Sequence, residues 1–125
     1  MAIDATGVNL PNFGYLTKED ISASTLTTDV NDSGKVLNFT HATPTVTVHA
    51  TAAGQTLTFR VGANPQVLTI SPQAGDGIFG CDAGGVDNKD IVFTNQPIGS
   101  FVTIVGGRTE GWCISAVSGT FTVEA

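Results

Sequence analysis

The sequence predicts an all-β fold: a single small β-sandwich, jelly-roll-like domain or β-barrel of eight to ten short antiparallel strands. Three observations predict it. Thr occurs 18 times, Val 13 times and Gly 15 times, against only 6 Leu; branched Thr and Val lose rotamer freedom in helices and pack well on a pleated face, while Gly supplies turns. Apolar and polar residues alternate in short runs separated by turn signals at spacings of about 8–12 residues. No stretch carries a helical period long enough for a βαβ crossover, so a parallel α/β sheet is excluded.

Residues 1–24 stand apart as an extended N-terminal arm, with residues 25–125 as the all-β body. The arm carries Ile3, Val8, Leu10, Phe13, Tyr15 and Leu16 without a period of 2 or 3.6. That many apolar residues do not stay in water, so the arm packs on its own domain or lies on a neighbouring subunit or larger assembly. Thr17, with Asp20 three residues on, fits the cap of a single helical turn.

In the body, Lys35 to Thr40 is the first clear strand. Thr43 to His49 alternates, with Val46 and Val48 on one face and Thr45, Thr47 and His49 on the other. Thr56 to Val61 sends Leu57, Phe59 and Val61 one way and Thr56, Thr58 and Arg60 the other. Gln66 to Ser71 is a strand stopped by Pro72, and residues 74–90 form the longest irregular piece. Asp90 to Thr94 restarts the strands. Ser100 to Val105 reads as buried on both sides, and Gly111 to Val117 follows. Ser118-Gly119 then reads as a tight hairpin into Thr120 to Val123.

Charge and length bound the function. The chain has 125 residues, 41 % of them hydrophobic and 13 % charged, below the roughly 25 % charge of an ordinary domain. It is too apolar for a disordered acidic chain. A net charge of −6 repels phosphate backbones, which excludes nucleic acid as a partner. No apolar run has the length of a membrane span, and no leader resembles a signal peptide, which points to synthesis in the cytoplasm.

No constellation with catalytic chemistry emerges, and none implies a cofactor. Cys81 and Cys113 are 32 positions apart; a bridge needs an oxidising compartment, so Cys113, inside a strand, reads as a buried thiol. His41 and His49 read as surface imidazoles, and their spacing to the cysteines matches no zinc pattern. Asp76, Asp82, Asp87 and Asp90 in the Gly-rich segment are weak calcium candidates, because their order does not match an EF-hand. Trp112 is the candidate for ligand binding, an aromatic that could stack on a sugar. The Thr rows 43/45/47, 56/58 and 120/122 make a nearly uncharged β surface, and several edges lack Lys or Pro guards. Both features suggest subunit association.

The body also resembles a known type. Leu26-Thr27-Thr28-Asp29 leading to Asn31-Asp32-Ser33-Gly34-Lys35-Val36-Leu37, the alternating Thr45-Val46-Thr47-Val48, Gly54-Gln55-Thr56-Leu57-Thr58-Phe59, and the late Gly111-Trp112 and Ser118-Gly119 carry the likeness. They are similar to the small all-β virion modules of tailed bacteriophages: head-decoration (cement) proteins and tail-fibre tip domains. The chain departs from them at His49-Ala50, where Leu-Pro is common, and in the Gly/Asp-rich residues 74–90. The resemblance implies a non-enzymatic structural protein, a homotrimer whose partners are its own copies and major capsid protein subunits. A single domain without a fibre shaft selects a decoration protein on the capsid surface, made in the host cytoplasm. The alternative is a tail or fibre-tip module that binds host-surface carbohydrate.

Overall fold

A computed structural model describes residues 17–79, 89–108 and 111–123, and these form an all-β domain of two mixed sheets. Eleven strands are seen: β1 Thr17–Ile21, β2 Thr25–Thr27, β3 Lys35–Phe39, β4 Thr45–Val48, β5 Thr56–Val61, β6 Val67–Pro72, β7 Gly77–Phe79, β8 Ile91–Thr94, β9 Phe101–Arg108, β10 Gly111–Ser118 and β11 Thr122–Val123. The six-stranded sheet has the order β1-β3-β5-β9-β10-β7, and the five-stranded sheet β11-β8-β6-β4-β2.

The first six strands alternate between the sheets, so β1, β3 and β5 lie side by side in one and β2, β4 and β6 in the other. Both sets pair in parallel. This corrects the expectation of antiparallel strands. A parallel pair needs a crossover between its members, which is commonly a helix. Here the crossover is a strand of the opposite sheet, and the chain winds as a coil of three turns. The corners of successive turns stack through their backbones: Thr40 N donates to Ile21 O at 3.0 Å, Gly62 N to Phe39 O at 2.9 Å and Val67 N to Ala42 O at 2.9 Å. Gln66, 2 % exposed, adds two 2.7 Å bonds from Nε2 to the carbonyls of Phe39 and His41. Buried corner carbonyls thus find donors without sheet partners.

The remaining strands are mostly antiparallel. β9 pairs with β5 and β10, β8 with β6 and β11, while β7 runs parallel to β10 at the edge. The expected hairpin at Ser118-Gly119 does not form, because β11 crosses to the other sheet and pairs with β8. Nor is β9 buried on both sides: Val102 and Ile104 are fully buried, whereas Phe101 and Thr103 are half-buried on the outer face. The core between the sheets holds Leu37, Phe39, Val46, Val48, Leu57, Phe59, Leu68, Ile70, Ile91 and Phe93, each at most 1 % exposed. Each such side chain contributes about 1.5–3 kcal/mol relative to exposure.

Two further expectations are corrected. Thr17–Ile21 is an extended strand, not a capped turn; it runs parallel to β3 and places Ile21 in the core at 8 % exposure. The helical reading weighed a local acid and missed that each of these residues has a partner 18 positions on, from Thr17 opposite Lys35 to Ile21 opposite Phe39. Lys35 Nζ ties the two strands by donating to Glu19 Oε1 at 3.1 Å, a contact that holds the ammonium above its ordinary pKa. Secondly, Cys113 is disulfide-bonded and not a free thiol. The chain's one other cysteine is Cys81, which lies outside the described residues. Burial, 2 % exposure for Cys113, is the same signal for a thiol and for a bridge, which is why the strand pattern did not separate them.

Candidate functional site

Two outward faces carry the surface chemistry. The first belongs to the five-stranded sheet. Leu26, Val46 and Ile70 point inward, so their neighbours point out: Thr25 and Thr27 on β2, Thr45 and Thr47 on β4, Thr69 and Ser71 on β6. Register aligns them in two rows, Thr25–Thr45–Thr69 and Thr27–Thr47–Ser71, the first continuing through Val92 on β8 to Thr122 on β11. The four threonines of β2 and β4 are exposed. No charged residue interrupts these rows. Such a face is cheap to cover, since it carries no ion whose hydration must be stripped.

The second face lies on the six-stranded sheet. A groove of about 460 Å³ is lined by Lys18, Val36, Thr58, Arg60, Gly99, Phe101 and Thr103. Parallel and antiparallel registers place Lys18, Val36, Thr58 and Thr103 in one row and Asp20, Asn38, Arg60 and Phe101 in the next. The hydroxyls of Thr58 and Thr103 bond each other at 2.9 Å, so the floor is internally satisfied around the apolar Val36 and Phe101. The wall is a polar relay over three strands. Lys18 Nζ lies 3.3 Å from Asp20 Oδ1, Asn38 Nδ2 donates to Asp20 Oδ1 at 2.9 Å, and Arg60 Nη1 donates to Asn38 Oδ1. Arg60 is thus oriented by a neutral amide and not by a carboxylate. Gly99 sits beneath it at φ +101°, a conformation that favours glycine, and a Cβ there would stand 3.6 Å from Arg60 Nη2.

The relay has a testable electrostatic signature. The Asp20 carboxyl is held below its ordinary value, first by the hydrogen bond from Asn38 and next by the one from Lys18. A depressed carboxylate stabilises the fold above its unfolded pKa, about 4, and that contribution is lost as pH falls through the lower folded value. Asn38→Ala is expected to raise the Asp20 pKa back toward the ordinary value, read by NMR titration of the side-chain carboxyl. An unchanged titration would show that Lys18 alone sets it.

The residues singled out from sequence are placed as follows. Ile3, Val8, Leu10, Phe13, Tyr15 and Leu16 lie outside the described residues, as do Asp82 and Asp87. Asp76 accepts from the backbone of Thr51 at 2.9 Å, and Asp90 is half-buried. Among the described residues no group of three or more His, Cys, Asp and Glu side chains could hold a metal ion. Trp112 is 2 % exposed, with Nε1 donating to His49 O at 3.2 Å, so its ring offers no open face to a sugar.

His49 is not a plain surface imidazole either. It is half-buried and meets Trp112 edge-on, with ring centroids 5.3 Å apart. Its backbone N donates to Thr28 Oγ1 at 3.0 Å, while Nδ1 contacts the same hydroxyl at 2.7 Å and Nε2 contacts Gln55 Oε1. In the neutral ring this assigns the proton to Nε2, with Thr28 donating to Nδ1. The cluster fastens the return from β4 to β5, and its hydroxyl, that of Thr28, is buried at 2 % exposure.

Sequence reading missed the groove. Lys18, Asn38 and Arg60 are about 20 residues apart from one to the next, and only the coil stacks them. The alternation in β5 had already put Arg60 on the polar side with Thr58; the missing information was its neighbours. No protein-family model matches the chain, and no curated protein matches it in sequence.

Proposed function

We propose that this protein is a non-enzymatic structural component of a tailed-bacteriophage virion, a trimeric capsid decoration (cement) protein that stabilises the head lattice. The observation that carries this reading is the threonine face of the five-stranded sheet: two registered rows, Thr25–Thr45–Thr69 and Thr27–Thr47–Ser71, with no charge among them. A lattice contact repeated many times can be weak in each copy and strong in sum, because seated neighbours raise the effective concentration of the next contact. An uncharged hydroxyl-and-methyl surface suits that task, and its affinity hardly depends on salt. The disulfide at Cys113 suits a particle that must persist outside a cell, where thiols oxidise.

The test uses shells assembled from the major capsid protein of the genome that carries this chain. The purified protein is expected to co-sediment with those shells at saturable occupancy, little changed between low and high salt. Thr45→Lys together with Thr47→Lys is expected to lower occupancy at least tenfold while leaving the fold intact, since both side chains are exposed. Full occupancy by the double variant would remove the threonine face from the account, and no binding by the parent would overturn the decoration role. The tail-tip alternative needs Trp112 or Tyr15 exposed to a glycan; Trp112 is buried, and Tyr15 lies outside the described residues.

A further inference from the structure

The groove on the six-stranded sheet has a shape and charge that call for a particular complement. Its floor is apolar, through Val36 and Phe101, and its walls carry Lys18 and Arg60. These are two of only five basic residues in a chain with 11 acidic ones. Arg60 is held in place by Asn38, and its guanidinium retains donors beyond the one used, which suits it to a carboxylate. Lys18 lies 3.3 Å from Asp20, so Arg60 is the cation left to pair, and a matching partner presents an apolar knob beside an acid.

This chain displays such a knob. Among the described residues the exposed large hydrophobics are Val30, Ile98, Val117 and Val123. Val30, 59 % exposed, opens the 3-10 turn Val30–Asp32 and has Asp29 before it and Asp32 at the turn's end. The turn is rigidly built: Asp29 caps it by accepting from Asn31 N at 2.8 Å, and Asp29 N donates to Asp32 Oδ2 at 2.9 Å. Asp32 is turned in, with its side chain 16 % exposed and Oδ1 3.5 Å from Lys35 Nζ, so Asp29 is the acid that stays exposed beside Val30.

We propose that the groove of one copy receives the Asp29–Val30–Asp32 turn of a second copy, with Val30 on the Val36–Phe101 floor and the Asp29 carboxylate facing Arg60. The proposal rests on the trimeric reading above and names the contact between protomers. Turn and groove are different patches, so the contact is heterologous and closes into a ring when successive copies are related by a third of a rotation. It separates two tasks: the threonine face meets the lattice, and the six-stranded sheet meets the neighbouring protomer. Charge pairing also makes this contact sensitive to salt, unlike the seating on the capsid.

Charge reversal tests it in the full-length protein. Val30→Lys leaves the capping bonds of Asp29 and Asp32 in place, so its fold is secure. It is expected to raise the concentration at which the oligomer dissociates by about tenfold or more, since it sets a cation against Lys18 and Arg60. Lys18→Glu with Arg60→Glu is expected to do the same, with melting curves confirming that the variant is folded. Mixing the two variants restores the contact between unlike copies, because each supplies what the other's partner patch needs; an odd ring leaves one like pair, so the mixture is expected to reach a mass above that of either variant alone. Native mass by light scattering is the readout.

A parent that is oligomeric while Val30→Lys keeps the same mass would overturn this contact and leave the trimeric reading standing. A parent that is monomeric at every concentration would overturn the trimeric reading itself. Loss of capsid occupancy in Lys18→Glu/Arg60→Glu, with native mass unchanged, would overturn the contact by assigning the groove to an acidic capsid segment.

Discussion

Cys113→Ala is expected to lower the melting temperature by about 10 °C, and treatment of the parent with a reductant should reproduce the loss. Cys113 is disulfide-bonded, and the chain's other cysteine stands 32 positions away in the sequence. Removing such a cross-link restores chain entropy to the unfolded state, about 2–4 kcal/mol for loops of this order. In a domain of this size each kcal/mol shifts melting by roughly 3–5 °C. Alanine is the informative replacement, since Cys113 is 2 % exposed and a serine would add a buried hydroxyl. The control is internal: reductant should not lower the melting temperature of Cys113→Ala further. A variant that melts with the parent would show that the bridge does not contribute to stability.

Phe59→Ala has a comparable expected effect for a different reason. Phe59 lies on β5, between β3 and β9 in the larger sheet, and is fully buried. Its ring centroid is 6.3 Å from that of Phe39, on the neighbouring strand. Truncation removes the ring from the middle of the core, and the coil on one side and the antiparallel strands on the other limit collapse into the void. The expected cost is about 3–5 kcal/mol, a large share of the 5–15 kcal/mol that stabilises a typical domain. Urea denaturation of Phe59→Ala and Phe59→Leu should show the full loss in the first and less than half of it in the second. A loss below about 1 kcal/mol for alanine would mean that the core closes around the gap.

Much of this fold is legible in the sequence where residues alternate. Thr45 to Val48 and Thr56 to Val61 show in one dimension which side chains are buried, and the structure buries those side chains. Alternation, however, identifies a strand's faces and not its neighbours. The parallel coil was therefore hidden: Val36 opposite Thr58 and Thr45 opposite Thr69 are relations between distant segments. The same limit explains the tail, where Ser118-Gly119 has the composition of a hairpin yet Thr122 pairs with Val92. It explains β1 as well, whose charged Thr17-Lys18-Glu19-Asp20 has no apolar period because it is an edge strand that sends only Ile21 into the core at its end.

The two surfaces differ in legibility for the same reason. The threonine rows are visible as T-x-T repeats within single strands, so their uncharged character could be read before their alignment was known. The groove is assembled from residues on four strands, and its cations look like ordinary solvated charges until Asn38 is seen between Asp20 and Arg60. Cys113 is the sharpest case, since its neighbours Trp112 and Ile114 announce burial and nothing nearby announces a bond.

The native mass of the purified protein, by light scattering coupled to size exclusion over a dilution series, tests the central claim most directly. A trimer joined by charged contacts has a mass near three times 12.8 kDa that persists on dilution and falls when salt is raised. A mass of 12.8 kDa at every concentration and salt would contradict it.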